Sequence, residues 1–490
     1  MKKWIMAIDQ GTSSTRCVLF DLNGIPVASD QMEFEQIYPQ SGWVEHDPNQ
    51  IWDTVLLTCK NAMKKAQANA AQIIGIGITN QRETTLVWNK KTGQVVYNAI
   101  VWQDRRTAKQ CDDIKQTKMA DVIWKKTGLI VDPYFSASKI RWILDHNENL
   151  QNQASKGELC FGTVDCYLLF KLTKGESFKT DVTNASRTML FNIQTKQWDD
   201  QLLTLFNIPK HMLPEVFDNG ANFGVTDLFG ADIPILAMAG DQHAAMIGQA
   251  CFKTGQVKST YGTGCFMMSQ LERNFRLSQY HLLTTIAFQF KGDTHYALEG
   301  SIFMAGATIQ WLRDNLQVIN DASDTSEHAN KVGADNPVIL IPAFVGLGAP
   351  YWNADATASI IGMTRDTTQS HIITAALQSS VYQTYDLLFA MEQDSQKKIN
   401  EIKVDGAMVN NQWLMQFLAD ITTSEIKQPI NIETTAQGIA YAVMLQAGLF
   451  ASLTDIENAW QCQNSYHPKM ELSLRDALIL RWKQALQKVL

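Results

Sequence analysis

Paired cysteines and long apolar stretches are both missing from this chain of 490 residues. Its eight cysteines include no C-x-x-C pair, so the sequence predicts neither a zinc site nor a disulfide framework. Polar residues interrupt each apolar stretch before the roughly eighteen residues that a membrane span requires, and the N-terminus lacks the apolar region of a cleavable signal. We therefore expect a soluble, cytoplasmic protein with no membrane insertion.

An excess of one charge sign is also missing. The 42 Lys and Arg residues nearly balance the 49 Asp and Glu residues, which leaves a net charge of -7 without long runs of one sign. Such a surface has no field to hold a polyanion, so no nucleic-acid partner is expected. The chain does have length and apolar content, since 45% of its 490 residues are hydrophobic. A chain of this length is longer than one hydrophobic core usually supports, so we expect two domains.

The first 30 residues predict three short strands, at 4–8, 17–20 and 25–29. Asn23-Gly24 joins the last two, and because Asn-Gly readily takes the positive φ values of a type I′ turn, we expect a tight hairpin and an antiparallel meander. A P-loop or a Rossmann unit would run from its first strand through a glycine turn into a helix. Here the glycine turn leads into another strand, which disfavours both nucleotide folds.

Strands and helices then alternate to the end of the chain. Asp47-Pro48 supplies an N-cap and a first-turn proline for a helix running towards residue 70, and a strand at 73–78 follows. A fresh strand at 256–261 ends in a second glycine-threonine turn, so we place the boundary between two related domains, 1–250 and 251–490. The pattern predicts an α/β fold with the ligand in a cleft between the domains. Later helices are predicted at 303–315, 413–422, 438–449 and 475–489.

The turn at residues 9–16 has the composition that phosphate binding requires. Gly11 lets backbone N–H groups approach oxygens closely, Arg16 supplies charge-assisted pairing, and four hydroxyl side chains lie between them. Asp9 follows a buried strand and is placed to hold Mg²⁺, through water because Mg²⁺ dehydrates reluctantly. An ordinary polar hairpin turn, whose hydroxyls satisfy their own backbone, is the alternative interpretation.

Two further turns favour the phosphate interpretation. Residues 261–264, Tyr-Gly-Thr-Gly, form a second glycine-hydroxyl turn in the other half. Residues 404–411 contain Val-Asp-Gly and lead into a helix N-terminus, where backbone N–H groups attract anions. Three such turns are typical of a nucleotide held in a cleft.

In this order the turns resemble those of the FGGY sugar kinases, which have the actin-like (ribonuclease H-like) ATPase fold, and among them those of the glycerol kinases. The resemblance covers nearly the whole chain. The stretches that carry it are 9–12, 34–39, 42–48, 78–85, 102–107, 183–190, 303–306 and 346–352.

The resemblance implies an ATP-dependent transferase that uses Mg²⁺ and phosphorylates glycerol to sn-glycerol 3-phosphate, the first step of glycerol catabolism. It also implies a homodimer or homotetramer. Within Gly240-Asp241-Gln242, Asp241 is implied as the general base, because phosphoryl transfer needs a group that orients the hydroxyl and accepts its proton. The neighbouring His243 is interpreted as a packing residue.

The resemblance also places a polyol pocket. Arg82 would donate to hydroxyls and Glu83 accept from them, so the pair could reject a ligand that lacks a hydroxyl. Trp102 would offer an apolar wall. Taken without the resemblance, the charged pair is better interpreted as surface and the tryptophan as core. The implied substrate-binding residues are Arg82, Glu83, Trp102, Tyr134, Asp241 and Gln242.

Nucleotide contacts are implied at both ends of the cleft. Gly306 and Gln310 are spaced i, i+4 and share one face of a predicted helix. Ala407 replaces a glycine that is usual after Val-Asp-Gly, and a positive φ at this residue would strain the turn and weaken ATP binding. The implied nucleotide-binding residues are Thr12, Ser13, Ser14, Arg16, Thr263, Gly306, Gln310, Ala407 and Asn411.

Two other functions stay open on the residues alone. A kinase for another polyol or a ketose would need a different set of side chains around Arg82, Trp102 and Tyr134. A nucleotide-gated binding or scaffold protein on the actin-like fold would have no use for Asp241. Glycerol-stimulated ADP release separates the three.

Overall fold

The computed structural model describes residues 2–490 and shows two mixed β-sheets with helices packed around them. The strands of the first half are β1 (Trp4–Gln10), β2 (Ser14–Phe20), β3 (Pro26–Glu33), β4 (Glu45–His46), β5 (Ile73–Asn80), β6 (Leu86–Asn89), β7 (Ala99–Ile100), β8 (Leu159–Gly162), β9 (Lys179–Asp181), β10 (Phe191–Asn192), β11 (Gln197–Trp198), β12 (Glu215–Phe217), β13 (Gly220–Thr226) and β14 (Ile233–Gly240). Its helices are α1 (Pro48–Lys65), α2 (Ala108–Lys115), α3 (Met119–Thr127), α4 (Ser136–Asp145), α5 (Glu148–Ser155), α6 (Val164–Leu172), α7 (Val182–Ser186), α8 (Asp200–Leu205) and α9 (Asp241–Gly248).

The second half repeats the mixture of strands and helices. Its strands are β15 (Val257–Tyr261), β16 (Cys265–Glu272), β17 (Leu283–Phe290), β18 (Asp293–Ile302), β19 (Ile339–Ile341), β20 (Ser359–Ile361), β21 (Glu401–Asp405), β22 (Glu425–Pro429) and β23 (Cys462–Tyr466). Its helices are α10 (Gly306–Asp314), α11 (Asp324–Val332), α12 (Gln369–Ser395), α13 (Gln412–Thr422), α14 (Thr434–Gln446), α15 (Leu453–Ala459) and α16 (Leu472–Leu486). Within residues 2–490, no helix combines the length and the apolar character that crossing a membrane requires.

The two large sheets share the arrangement around their first strand, although the second sheet has one more strand. The first has the order β13-β14-β5-β1-β2-β3, with β1 antiparallel to β2 and parallel to β5. The second has the order β17-β18-β16-β15-β21-β22-β23, with β15 antiparallel to β16 and parallel to β21. Each half therefore begins with a strand that turns back through a glycine-threonine loop, as the sequence predicts.

The predicted meander of β1, β2 and β3 is confirmed, but its second turn is not of type I′. Only Gly24 has a positive φ, of 81°, whereas Asn23 does not. The carboxylate of Asp21 accepts hydrogen bonds from the backbone N–H groups of Asn23 and Ile25, both at 2.9 Å. This side-chain cap supports a longer loop, so the Asn-Gly pair does not need the I′ geometry.

Helix α1 begins as predicted and ends early. The side chain of Asp47 caps it by accepting from the N–H of Asn49, and Pro48 occupies the first turn. The helix ends at Lys65, five residues before the predicted end, because Gln67 takes a positive φ of 52°. A short 3₁₀ turn, Ala70–Gln72, then leads into β5.

Helix α10 begins at Gly306 instead of residue 303. Residues 303–305 form a loop whose end is pinned to the second glycine-threonine turn, because Ala305 and Ala307 both donate to the carbonyl of Thr263 at 3.0 Å. The other three predicted helices of the second half are present as α13, α14 and α16, with ends shifted by up to four residues.

Helices α9 and α14 cross between the two sheets, and two glycines allow them to approach. A Cβ on Gly438 would lie 1.8 Å from the carbonyl oxygen of Ala244, and one on Gly248 would lie 2.0 Å from that of Thr434. Helix α14 also covers β5, where a Cβ on Gly77 would lie 2.8 Å from Ile439. The crossing thus joins the two halves through backbone contact that no side chain fits.

We expect Gly438→Ala to destabilise the protein by about 3 kcal/mol, because the added methyl group must push α14 away from α9. Chemical denaturation checks this, with Gln446→Ala, an exposed change at the end of the same helix, as the matched control. A Gly438→Ala variant as stable as the control would show that the crossing is not tightly packed.

Candidate active site

Asp241 and Arg82 meet at one edge of the first sheet. Strand β14 ends at Gly240, which pairs with Asn80 at the end of the parallel strand β5, so the residues that follow both strands share this edge. Arg82 Nε lies 3.1 Å from Asp241 Oδ1, and the Asp241 side chain is 26% exposed. Burial raises the pKa of the Asp241 carboxyl, and Arg82 opposes the rise. Asp241 is therefore a charge-paired carboxylate that a ligand can still reach.

Arg82 also belongs to a buried four-charge network, which we define as Arg82, Glu83, Arg187 and Glu299. Arg82 donates from Nη1 and Nη2 to the two oxygens of Glu299, at 2.7 and 2.9 Å. Arg187 donates from Nε to Glu83 Oε1 at 2.6 Å, and its Nη2 lies 3.3 Å from Glu299 Oε1. The four side chains are at most 2% exposed, and their formal charges cancel. Mutual pairing is what makes such burial tolerable.

Hydrogen bonds to their backbone carbonyls hold Glu83 and Tyr134 in place. Glu83 has a positive φ of 60°, and its carbonyl accepts from the hydroxyl of Ser136 at 3.1 Å. The buried ammonium of Lys139 donates to the carbonyls of Tyr134 and Phe135, at 2.5 and 3.2 Å. Burial raises the pKa of the Glu83 carboxyl and lowers the pKa of Lys139 to about 8. Lys139 therefore fixes the segment that presents the tyrosine.

Trp102, Tyr134 and Phe266 form an aromatic wall beside these charges. The Trp102 ring lies 5.7 Å from that of Tyr134 and 5.8 Å from that of Phe266, in both cases edge to face. Trp102 Nε1 donates to the hydroxyl of Thr12 at 2.9 Å, which brings the first glycine-threonine turn against the wall. The predicted polyol and phosphate residues are thus neighbours in space.

Gln242 receives a hydrogen bond from Lys258, a buried residue of β15. The same ammonium donates to the hydroxyl of Thr260 at 3.0 Å, and burial lowers the pKa of Lys258. His243, the next residue of α9, is fully buried, and burial keeps its pKa well below the usual value. His243 therefore stays neutral and packs, as interpreted from the sequence, while Lys258 adds a positive charge from the second half.

The first turn begins with the carboxylate of Asp9 and ends with Arg16, whose side chain is already paired. Burial, assisted by Asp241, raises the pKa of Asp9 to about 7, and Arg16 opposes the rise. Arg16 pairs with Glu433 of the second half, and its Nη2 also donates to Gln31 at 2.6 Å. The N–H of Gly11 donates to the carbonyl of Ser14 at 2.9 Å, which closes the turn.

A cavity of about 550 Å³ lies in the second half and contains the rest of the predicted nucleotide residues. A Cβ on Gly306 would lie 2.6 Å from the carbonyl oxygen of Gly262, so this wall tolerates only glycine. Thr12, Ser13, Ser14 and Arg16 do not line the cavity; they lie at the first turn. The predicted residues that line it are Thr263, Gly306, Gln310, Ala407 and Asn411.

The strain considered at Ala407 does not arise. Gly406 takes the positive φ, of 91°, and a Cβ there would lie 2.4 Å from the carbonyl oxygen of Tyr261. Ala407 opens the short 3₁₀ turn Ala407–Asn410 without a positive φ. Asn411 caps α13 by accepting from the N–H of Leu414 at 3.0 Å, and its Nδ2 donates to Thr325 at 3.2 Å. The turn is therefore unstrained and well anchored.

Besides Arg187, which lies within the matching stretch 183–190, four site residues went unnoticed in the sequence. Glu299 left the clearest signal, since it is a lone carboxylate in the otherwise apolar or small run 296–302. Lys258 left a similar signal, because it is a charged residue inside the predicted strand 256–261. Phe266 and Lys139 left none, because each fits an ordinary core or helix pattern.

Comparison with known proteins shows the family of the chain. Models of the N-terminal and C-terminal domains of the FGGY family of carbohydrate kinases match residues 4–248 and 257–447. Glycerol kinase 1 of Pseudomonas aeruginosa is 50% identical over 491 residues, covering 100% of this chain and 99% of that protein. The glycerol kinase of Alkaliphilus oremlandii is 51% identical, with coverage of 100% and 98%.

Solved structures show the same fold. The crystal structure of Plasmodium falciparum glycerol kinase with ADP aligns with a TM-score of 0.92 at 36% identity, covering 100% of this chain and 98% of that one. A xylulose kinase from Lactobacillus acidophilus aligns with a TM-score of 0.89 at 23% identity, covering 99% and 97%, and shows the fold alone. The predicted two-domain α/β fold is confirmed, and the chain belongs to the FGGY family of carbohydrate kinases.

Proposed function

We propose that the protein transfers the γ-phosphoryl group of ATP to a terminal hydroxyl of glycerol and releases sn-glycerol 3-phosphate, the first step of glycerol catabolism. The observation that carries the proposal is the accessible Asp241 carboxylate, paired with Arg82 at 3.1 Å and close to both the aromatic wall and the first turn. Relatives named glycerol kinase match at about half identity over the full length, which supports glycerol as the substrate.

Asp241 acts as the general base. Its raised pKa makes it a better proton acceptor than a free carboxylate, while the charge of Arg82 opposes that rise and orients the carboxyl group. As the oxygen of the substrate hydroxyl bonds to the phosphorus, its proton passes to the Asp241 carboxylate and ADP leaves. The buried cation of Lys258, held beside Gln242, adds positive charge near the base.

The polyol is recognised by complementary donors and acceptors. In the described part of the chain, Arg187 occupies Oε1 of Glu83, which leaves Oε2 to accept from a hydroxyl. Arg82 keeps one N–H on each Nη after pairing with Glu299, and these N–H groups donate to the substrate. Trp102 and Tyr134 cover the C–H face, and Gln242 closes the pocket.

The nucleotide fits the cavity of the second half and reaches the first turn with its phosphates. A cavity of about 550 Å³ is within the range of small-ligand sites. Asp9, at the start of the first turn, is the residue that would hold Mg²⁺, through water, beside the phosphates. When bound, Mg²⁺ neutralises charge on the transferring phosphoryl group.

We propose that the domains divide at residues 250 and 251, with the ATP and glycerol sites facing the cleft between them. The matched family segments, 4–248 and 257–447, support that division. Assembly as a homodimer or homotetramer and a cytoplasmic location stay predictions.

Glycerol should stimulate ADP release more strongly than other polyols or ketoses. A coupled assay with glycerol, erythritol and D-xylulose measures this. No stimulation by glycerol would reject the proposal, and stimulation by D-xylulose alone would favour a ketose kinase. Nucleotide binding with no stimulation by any member of the panel would favour a scaffold role.

Asp241→Asn should lower kcat by about a thousandfold, because the amide cannot accept the proton, while glycerol and ATP still bind. Steady-state kinetics and calorimetric titration check both parts. Asp394→Asn, a change at another largely buried carboxylate, is the control and should keep turnover. Retained turnover in Asp241→Asn would remove Asp241 as the base.

Gly306→Ala should raise the KM for ATP by roughly tenfold and leave glycerol binding unchanged, since the new methyl group displaces the Gly262 carbonyl at the cavity wall. Asn315→Ala, at the exposed end of the same helix and outside the cavity lining, serves as the control. If both variants show the same KM for ATP, the cavity does not hold the nucleotide.

A further inference from the structure

Glu299 is a buried carboxylate that the proposed reaction does not use directly. It lies in β18 of the second half and is fully buried. A carboxylate removed from water is tolerated only when it is paired, and both of its cationic partners, Arg82 and Arg187, come from the first half. Each arginine is more than a hundred residues away from Glu299 along the chain.

Two hydrogen bonds and one ion pair hold the guanidinium plane of Arg82. Glu299 takes one N–H from each Nη, and Asp241 faces Nε at 3.1 Å. Each Nη carries two N–H groups, so one N–H remains on each Nη, with its direction set by the fork. Without Glu299, the two-oxygen fork is lost and Arg82 keeps the ion pair with Asp241 and its position over the Phe266 ring, 5.8 Å from the centroid.

Arg187 depends on Glu299 as well. It makes one hydrogen bond of good geometry to the described residues, from Nε to Glu83, whereas its buried Nη1 and Nη2 have no hydrogen-bond partner among them. The charge of Glu299, 3.3 Å from Nη2, therefore holds the end of this side chain. If that charge is removed, two buried guanidinium groups are left with Glu83 as the remaining carboxylate of the four-charge network.

We propose that Glu299 is a positioning residue for the glycerol pocket, supplied by the opposite half of the chain, and that it acts by orienting Arg82 directly and Glu83 through Arg187. The inference rests on the proposed polyol pocket. It deepens that assignment, because the two residues that would recognise hydroxyls are both oriented from β18.

Strand β18 also connects this role to the nucleotide cavity. The strand ends at Ile302, and Gly306, which lines the cavity, begins α10 four residues later. The carboxylate that orients Arg82 and the wall of the cavity therefore belong to one continuous segment. The polyol pocket is complete only when the two halves have the relative position seen here.

Two substitutions test the role. Glu299→Gln keeps the size of the side chain and removes its charge and one of its acceptors. Glu299→Asp keeps the charge but is one methylene too short for the fork. We expect each to raise the KM for glycerol by roughly tenfold or more, because an unpaired buried guanidinium reorients, while the KM for ATP stays unchanged. Initial rates of ADP release at varied glycerol and varied ATP measure the split.

The control is Asp386→Asn, which removes a buried carboxylate of the same half that accepts from Trp482 Nε1 at 2.7 Å. This variant should lower the melting temperature without moving the KM for glycerol. If the Glu299 variants do the same, or if they raise both KM values equally, Glu299 is a structural residue and the inference is wrong. Should Glu299→Gln not fold, Glu299→Asp alone decides between these results.

The wild-type protein separates this inference from the proposed function. If wild type shows no glycerol-stimulated ADP release, the proposed function itself fails. If wild type phosphorylates glycerol and Glu299→Asp keeps the wild-type KM for glycerol, only the positioning role fails.

Discussion

The guanidinium of Arg82 lies between two carboxylates from opposite halves of the chain, Asp241 at 3.1 Å and Glu299 at 2.7 Å. The Glu299 contact is withdrawn from bulk water, where charge pairing is strong and an unpaired charge is costly, whereas the Asp241 side chain is 26% exposed. The two sheets therefore cannot separate at this point without exposing or orphaning a charge. The orientation of the candidate base and of the N–H groups proposed to bind hydroxyls depends on this one guanidinium.

Close backbone packing between α9 and α14 supports the same junction between the two halves. Gly248 and Gly438 let α9 and α14 cross at a distance that no Cβ permits, and Asp241 is the first residue of α9. A helix of the other half therefore packs tightly against the helix that presents the candidate base. Because packed interfaces hold a few discrete arrangements rather than deforming continuously, this crossing fixes the position of Asp241.

Local chemistry in the sequence predicted much of the fold and of the site. The glycine-hydroxyl turns, the Asp47-Pro48 helix start and the strand pattern follow short-range rules, and all of them are present. The errors were also local. Asp21 supplied a side-chain cap that replaced the I′ turn, and the docking of residues 303–305 against Thr263 delayed the start of α10. In both cases a hydrogen bond outside the pattern outweighed the propensity of the segment.

The sequence by itself determined the residue types of the phosphate turns, the alternation of strands and helices and, through the resemblance, the family. Only the tertiary structure decided which half completes the proposed polyol pocket. Glu299 lies 217 residues from Arg82 along the chain, and Lys258 and Phe266 likewise reach first-half residues from β15 and β16. Short-range patterns cannot encode such pairs, because they exist only once two separately folded sheets have docked and water has left the space between them.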